Sequence, residues 1–273
     1  LALAGIIFIA ARPQFGSKLE TVKKKGLEVM VALDISNSLL AEDVSPNRLS
    51  KSKQMLYKLL DGLNNDKFGV IIFAGHPYTQ LPITTDYQSA KIFISTIEPE
   101  IIKQQGTAIG AALEMASRSF SKDEEQTKGQ AIIVITDGEN HEDDPVAAAK
   151  QAAELGIKVY TIGVGSAEGQ PIPVEGGLMR DKDGEIVVTR LDEDTLRAIA
   201  KAGGGAYIHA GGEEFGLNPI VDDIRKMEDE EFGSIVFEEY DEQFMYFFGI
   251  ALLLFVIEML IGERKPRRKL FEV

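Results

Sequence analysis

Apolar runs and helical stripes alternate along most of this chain. Leu27 to Leu33 (LEVMVAL) is nearly continuous in hydrophobic residues, the pattern of a strand buried on both faces. From Pro46 to Leu63 the period changes. Leu49, Met55, Leu56, Leu59 and Leu60 recur at helical spacing, Ser45 is placed to cap, and Pro46 suits a first turn. Phe68 to Phe73 reads as a second strand. Tyr78 to Ile83 reads as a third, at an edge, because Pro77 and Pro82 remove ladder donors. Thr85 to Ile97 and Thr107 to Phe120 read as helices, and Ala131 to Thr136 as a strand. Asp144 to Leu155 is a helix that Gly156 stops, and Ile157 to Val164 a strand. Ile172 to Arg190 breaks the rhythm with glycine and charge. Asp183-Gly184 marks a hairpin turn in this β-hairpin excursion, about residues 171–190. A helix (Asp192 to Ala202), a strand (Ala206 to His209) and a helix (Leu217 to Met227) complete the series, ahead of the acidic run Glu228 to Glu231.

Strands alternating with helices predict right-handed βαβ crossovers. The fold class is therefore α/β and Rossmann-like: a central, mostly parallel sheet covered by helices on both faces, over residues 27–230. The flanks differ. Phe244 to Gly262 is a run of 19 residues with one charge, Glu258. At about 1.5 Å per residue it roughly spans a hydrocarbon core of about 30 Å, so a transmembrane helix is expected at 244–262. Glu258 reads either as a snorkelling side chain or as a polar contact to a neighbouring helix. Leu1 to Ala10 reads as the end of another spanning helix (1–11), with a polar linker at 12–26 and a juxtamembrane segment at 231–243.

Charge sharpens this division. The chain carries −14 overall, yet Gly262 to Val273 carries +3 through Arg264, Lys265, Arg267, Arg268 and Lys269, leaving −17 on the rest. Basic residues beside a spanning helix stay in the cytoplasm, which puts the tail at 263–273 inside and the domain outside. Lys23, Lys24 and Lys25 oppose this mildly. An acidic chain lacks the basic footprint that nucleic-acid binding needs. The chain has no cysteine, which excludes disulfides and thiolate zinc sites.

The candidate chemistry lies at strand ends. Asp34-Ile-Ser36-Asn-Ser38 follows the first strand, on the sheet edge where open α/β folds bind ligands. Thr107 stands before a helix, and Asp137 ends the strand Ala131 to Thr136. Carboxylates and hydroxyls are hard oxygen ligands that suit Mg²⁺ or Mn²⁺. The competing reading makes Ser36 and Ser38 capping or turn residues and Asp137 a turn aspartate. Catalysis finds little support. Gly163-Val-Gly165-Ser-Ala-Glu168-Gly169 fails the dinucleotide fingerprint at Glu168. No nucleophile elbow occurs, and His76 and His209 read as structural. His141, within Glu139 to Asp144, reads either as part of a second metal site or as the rim of a solvated acidic loop. A non-enzymatic protein is expected.

DxSxS, a distant Thr and a later TDG, in this order, resemble the metal-ion-dependent adhesion site of von Willebrand factor A domains. The resemblance implies that Asp34, Ser36, Ser38, Thr107 and Asp137 hold Mg²⁺ (or Mn²⁺ or Ca²⁺), Asp137 often through water. A coordination position stays open for an Asp or Glu of a partner. The stretches LDISNSLLAEDVSPNRLSKSKQ, FAGHPYTQLPITTDYQSAK, QGTAIGAAL and AIIVITDGENHEDD are further similar to the Bacteroides aerotolerance (Bat) family, BatB-like more than BatA-like. That resemblance implies an inner-membrane protein with its von Willebrand factor A domain in the periplasm and its tail in the cytoplasm. The implied partners are a BatA-like sister, Bat proteins with tetratricopeptide repeats, and a MoxR-type AAA+ ATPase. The implied role is a metal-dependent protein–protein interaction module in oxidative or envelope stress tolerance. The alternative is a structural scaffold whose metal site is empty or non-essential.

Overall fold

The computed structural model describes residues 14–18, 26–63, 66–121, 129–140, 142–174, 176–210, 217–232, 239–242 and 244–260. They fall into two compact units, Lys24–Gly233 and a second made of Leu1–Lys23 with Ser234–Val273. In chain order, β1 (Gln14–Lys18) belongs to the second unit. The first unit contains β2 (Glu28–Asp34), α1 (Arg48–Gly62), β3 (Lys67–Phe73), β4 (Pro77–Thr84), α2 (Tyr87–Ser95), α3 (Ile109–Ser119), β5 (Gln130–Thr136), α4 (Pro145–Glu154) and β6 (Ile157–Gly163). Four two-residue strands follow: β7 (Gln170–Pro171), β8 (Pro173–Val174), β9 (Gly177–Leu178) and β10 (Val188–Thr189). Then come α5 (Glu193–Ala202), β11 (Gly204–His209) and α6 (Asn218–Phe232).

Six strands form one sheet in the order β11-β6-β5-β2-β3-β4. β11, β6, β5, β2 and β3 run parallel, and β4 pairs antiparallel with β3 at the edge. The two prolines anticipated at an edge therefore lie on an edge strand, where a missing ladder donor costs least. β2 is buried along its whole length because it sits between β5 and β3 and is covered on both faces. Its side chains alternate. Val29, Val31 and Leu33 face a core closed by Leu56 and Leu59 of α1, Ile94 of α2 and Ile224 of α6. Met30 and Ala32 face a second core closed by Leu113 of α3, Ala149 of α4 and Ile199 of α5. This two-sided burial is why the strands read as continuous apolar runs.

Element ends depart from the sequence pattern for local reasons. α1 starts at Arg48, not Pro46: Asn47 is extended and its side chain accepts from Ser50 N at 2.7 Å, while the Ser45–Pro46 peptide is cis in the preceding turn. α2 starts after Asp86, whose Oδ1 accepts from Gln88 N and Ser89 N. The acidic run Glu228 to Glu231 continues α6. The excursion is two nested hairpins: β7 pairs with β10, and β8 with β9. Asp183-Gly184 makes its last turn, with Gly184 at φ 87°.

In the second unit, β1 pairs antiparallel with β12 (Glu239–Glu242), joining a strand from the stretch read as linker to one from the stretch read as juxtamembrane. The helix α7 (Phe244–Leu260) has 17 residues. Its described side chains are apolar and exposed, among them Phe248, Leu253, Phe255 and Met259. No helix among the described residues is long and apolar enough to cross a membrane. Leu1 to Ala10, Lys23 to Lys25 and the basic tail, Arg264 to Lys269, lie outside the described residues.

One buried charge ties the base of the sheet together. Glu28 opens β2, accepts from Lys67 Nζ of β3 at 3.0 Å and from Ser121 N at 3.0 Å, and is fully buried. Burial pushes its carboxyl up, but the Ser121 and Lys67 hydrogen bonds and the lysine charge outweigh this and hold it below its ordinary value of 4.5. The stabilisation is therefore present above that value and is lost as pH falls through the folded one. Urea titrations between about pH 7 and about pH 3 check this. Glu28→Gln is expected to be less stable at neutral pH and to lose less stability with acid, and an acid slope equal to wild type contradicts the assignment.

Candidate metal centre

Because β2 and β5 are adjacent and parallel, their carboxyl ends place Asp34 and Asp137 side by side. Both are completely buried. Asp34 Oδ1 accepts from Ser36 N at 2.8 Å, which bends the chain back after the strand, and Asp34 Oδ2 accepts from Thr136 Oγ1 at 2.6 Å. Ser36 Oγ and Ser38 Oγ share a hydrogen bond of 2.9 Å, and the Ser38 hydroxyl reaches the Asp137 carboxylate. Asp34, Ser36, Ser38 and Asp137 thus form one connected group.

Thr107 lies on a third loop. Gln105 Oε1 accepts from Asn37 N at 3.0 Å, between the two serines, and Ala108 N donates to Ala74 O at 2.9 Å. These bonds pin the Thr107 loop beside the first loop, with Thr107 itself buried. Gly106 has φ +132°, and a Cβ there would stand 2.8 Å from Glu142 Oε1, so the loop needs glycine.

The hydroxyls are not spent on helix caps. Ser36 precedes a 3₁₀ turn, Asn37–Leu40, and makes no side-chain capping bond. α3 begins two residues after Thr107, and its free amides are satisfied from elsewhere. Asp143 accepts from Gly110 N at 2.9 Å and from Ala111 N at 2.7 Å, and Asn140 Oδ1 accepts from Ile109 N. Ser36 is therefore not a cap, whereas Asp137 does serve its own turn, its Oδ1 accepting from Glu139 N at 3.3 Å. Part of the acidic loop Glu139 to Asp144 has structural work: Asp143 caps α3 and Asp144 caps α4. His141 lies outside the described residues. His76 stacks edge-on with Tyr78, and His209 Nε2 meets Gly165 O at 2.9 Å.

Electrostatics sets the character of the site. Burial, and then the negative charge of Asp137, push the Asp34 carboxyl up to about 7, against the hydrogen bonds from Thr136 and Ser36. Burial pushes Asp137 up as well, although Ser38 and the Arg48 guanidinium pull the other way. Two buried carboxylates that repel each other, flanked by hydroxyl oxygens, form a set of hard donors short of positive charge. A divalent cation fits that chemistry. Among the described residues no cluster of three or more His, Cys, Asp or Glu side chains offers an alternative.

Arg48 and Thr189 escaped the sequence reading. Arg48 Nη1 donates to Asp137 Oδ2 at 2.9 Å, and Thr189 Oγ1 donates to the same oxygen at 3.0 Å. A faint signal existed: a cation in the first turn of a helix opposes the helix dipole, so Arg48 had to have another partner.

The profile of the von Willebrand factor type A domain matches residues 28–205. Two solved structures cover 75% of this chain and are themselves covered completely. BatB from Bacteroides thetaiotaomicron is 53% identical with a TM-score of 0.72. An aerotolerance-related membrane protein from Bacteroides fragilis, carrying multiple mutations to serine, is 52% identical with a TM-score of 0.68. At 20% identity and a TM-score of 0.53, proximal thread matrix protein 1 from the mussel byssus shares the fold over 76% of this chain and 46% of its own. That structure has a zinc-occupied metal-ion-dependent adhesion site. Curated sequence relatives are longer. The chain spans 76% of an uncharacterised Borreliella burgdorferi protein at 27% identity and 54% of a Mycolicibacterium paratuberculosis protein at 28%.

A folded pKa raised above the ordinary 3.8 makes Asp34 cost stability as pH climbs from that value through about 7. In EDTA, the wild-type melting temperature is expected to fall over this range, and Asp34→Asn is expected to flatten the fall. Mg²⁺ should restore the wild type above about pH 7 and leave the variant unmoved. A variant whose profile matches wild type in EDTA rules out the buried charge repulsion.

Proposed function

This chain belongs to the von Willebrand factor type A domain family, in its BatB-like aerotolerance group, and from that premise we propose that it is a membrane-anchored, metal-dependent protein–protein interaction module. The observation that carries the reading is the convergence of two buried carboxylates with the linked hydroxyls of Ser36 and Ser38 at the carboxyl ends of adjacent strands. Asp34, Ser36, Ser38, Thr107 and Asp137 are the residues that would hold a divalent cation, Mg²⁺ or else Mn²⁺ or Ca²⁺. When bound, the cation supplies a coordination position for an acidic side chain. The chain's own part is to fix the donors. The Ser36 amide and the Thr136 hydroxyl orient Asp34, the Ser36–Ser38 bond sets the spacing of the hydroxyls, and the Gln105–Asn37 bond brings the Thr107 loop alongside. That the mussel protein, which shares the fold, carries zinc in a metal-ion-dependent adhesion motif supports a divalent cation here. We read binding, not catalysis, because the hydroxyls that meet Asp34 and Asp137 are held as partners of the donor set and the sequence carries no nucleophile elbow or phosphate loop.

The exposed apolar faces of α7 support an anchor in the inner membrane, helped by the membrane description of the Bacteroides fragilis relative. Its 17 residues cover about 25 Å, and continuation to Gly262 would bring the apolar length close to a hydrocarbon core. The basic tail then faces the cytoplasm and the domain the periplasm. In this setting the proposed partners are other Bat proteins, a BatA-like sister and tetratricopeptide-repeat members, together with a MoxR-type AAA+ ATPase, in oxidative or envelope stress tolerance.

Affinity purification from detergent-solubilised membranes tests the module. Wild type and Asp34→Ala/Ser36→Ala are each taken through Mg²⁺ and EDTA and read by mass spectrometry. A periplasmic partner lost in the variant and in EDTA is the expected result. Identical co-purifying proteins in all four samples reject docking through the metal and favour a scaffold held by other surfaces.

A further inference from the structure

Arg48 is fully buried, an unusual place for a guanidinium, and its donors are matched in full view of the site. Nε and Nη2 donate to the two oxygens of Asp43 at 2.8 and 2.7 Å. Nη1 donates to Asp137 Oδ2 at 2.9 Å and to Thr189 Oγ1 at 3.0 Å, and Thr189 O accepts from Nη2 at 3.4 Å. Thr189 Oγ1 itself donates to Asp137 Oδ2, closing a three-membered ring of hydrogen bonds. Asp43 Oδ2 also accepts from Ser166 N at 2.7 Å. Gly165 makes room for the arrangement, since a Cβ there would stand 2.6 Å from Arg48 Nε.

These contacts have a definite placement. Ser166 precedes the excursion and Thr189 is its last strand residue, so Arg48 holds the far end directly and the near end through Asp43, which accepts from Ser166 N. Ile172 is also buried, Arg190 N donates to Glu139 Oε1 at 2.8 Å and Leu191 N to Ser166 O at 3.0 Å, but the excursion's own strand pairing is sparse. Its ladders are two residues long, and Leu178, Ile186 and Val188 are exposed. Isolated two-stranded hairpins of this kind are marginal in water. Asp137 is thus shared. One side of its carboxylate serves Arg48 and Thr189, and the same side chain belongs to the donor set.

We propose that Arg48 and Thr189 are positioning residues that fix Asp137 for the cation, and so link cation binding to the order of the 170–189 excursion. This rests on the reading of the site as a cation centre. A carboxylate already held by two donors loses little freedom when a cation binds, so the contacts favour binding. Partners that orient a ligating carboxylate are typically worth about 10- to 100-fold in metal affinity. Linkage is reciprocal: whatever factor the ordered excursion adds to cation affinity, the cation returns as protection of the excursion. A purely structural clamp differs, because it would stabilise the fold and leave cation affinity unchanged.

Thr189→Val is the cleanest probe, because it keeps shape and net charge and removes only the bridging hydroxyl. Arg48→Lys is the second variant, keeping the charge and losing the planar fork. The full chain in detergent is titrated with Mn²⁺, free Mn²⁺ is read by electron paramagnetic resonance, and amide hydrogen exchange is followed over 170–189 with and without Mn²⁺. Thr189→Val is expected to weaken Mn²⁺ binding about 10-fold. Mn²⁺ should slow exchange across 170–189 in wild type, and this protection should shrink in both variants. Wild-type Mn²⁺ affinity in both folded variants overturns the link and leaves the cation reading standing, as does exchange over 170–189 that Mn²⁺ does not alter in wild type. A wild-type chain that takes up no Mn²⁺ overturns both.

Discussion

Two carboxylates buried next to each other at the ends of adjacent parallel strands are the constraint around which this domain is arranged. Asp34 and Asp137 are neighbours because β2 and β5 are neighbours, and nothing in the apolar strands below can offset their repulsion. The surrounding loops therefore carry the compensation. Thr136, Ser36 and Ser38 donate to the pair, and Arg48 brings the positive charge closest to it. Leaving either carboxylate without such partners would cost several kcal/mol, of the order known for breaking a buried ion pair.

The same constraint explains the division of labour among acidic residues on this face. Asp43 takes most of the Arg48 fork, which leaves Asp137 only partly neutralised. Asp143 and Asp144 face helix amides, where the helix dipole favours a negative charge. The face is strongly acidic, but its charges are individually assigned, and the two at the strand ends are left short of cations.

The sheet was legible because four of its six strands lie between two others, and buried strands advertise themselves as runs such as Ala131 to Thr136. The candidate site was legible because DxSxS and Asp137 follow strands and Thr107 precedes a helix, in a fixed order. Other features were hidden for a physical reason: their partners are distant in sequence. Arg48 meets Thr189 across 141 positions, and Gly110 meets Asp143 across 33, so no local pattern encodes either bond. The start of α1 was misplaced because Ser45-Pro46 and Asn47 are both plausible caps, and only the backbone of Asn47 decides between them. The glycines of Gly163-Val-Gly165 fail the dinucleotide fingerprint and had no other role in the sequence. At Gly165 the need is space for a guanidinium.

The position of β2 has a mechanical consequence. Anything held at Asp34 pulls on the end of the strand that lies between β3 and β5 and is bonded to both along its length. A load along that axis must shear two ladders at once, with their hydrogen bonds acting in parallel, whereas a load on β4 at the edge would have only one ladder to open. The candidate site is thus attached to a strand that meets tension with two ladders at once.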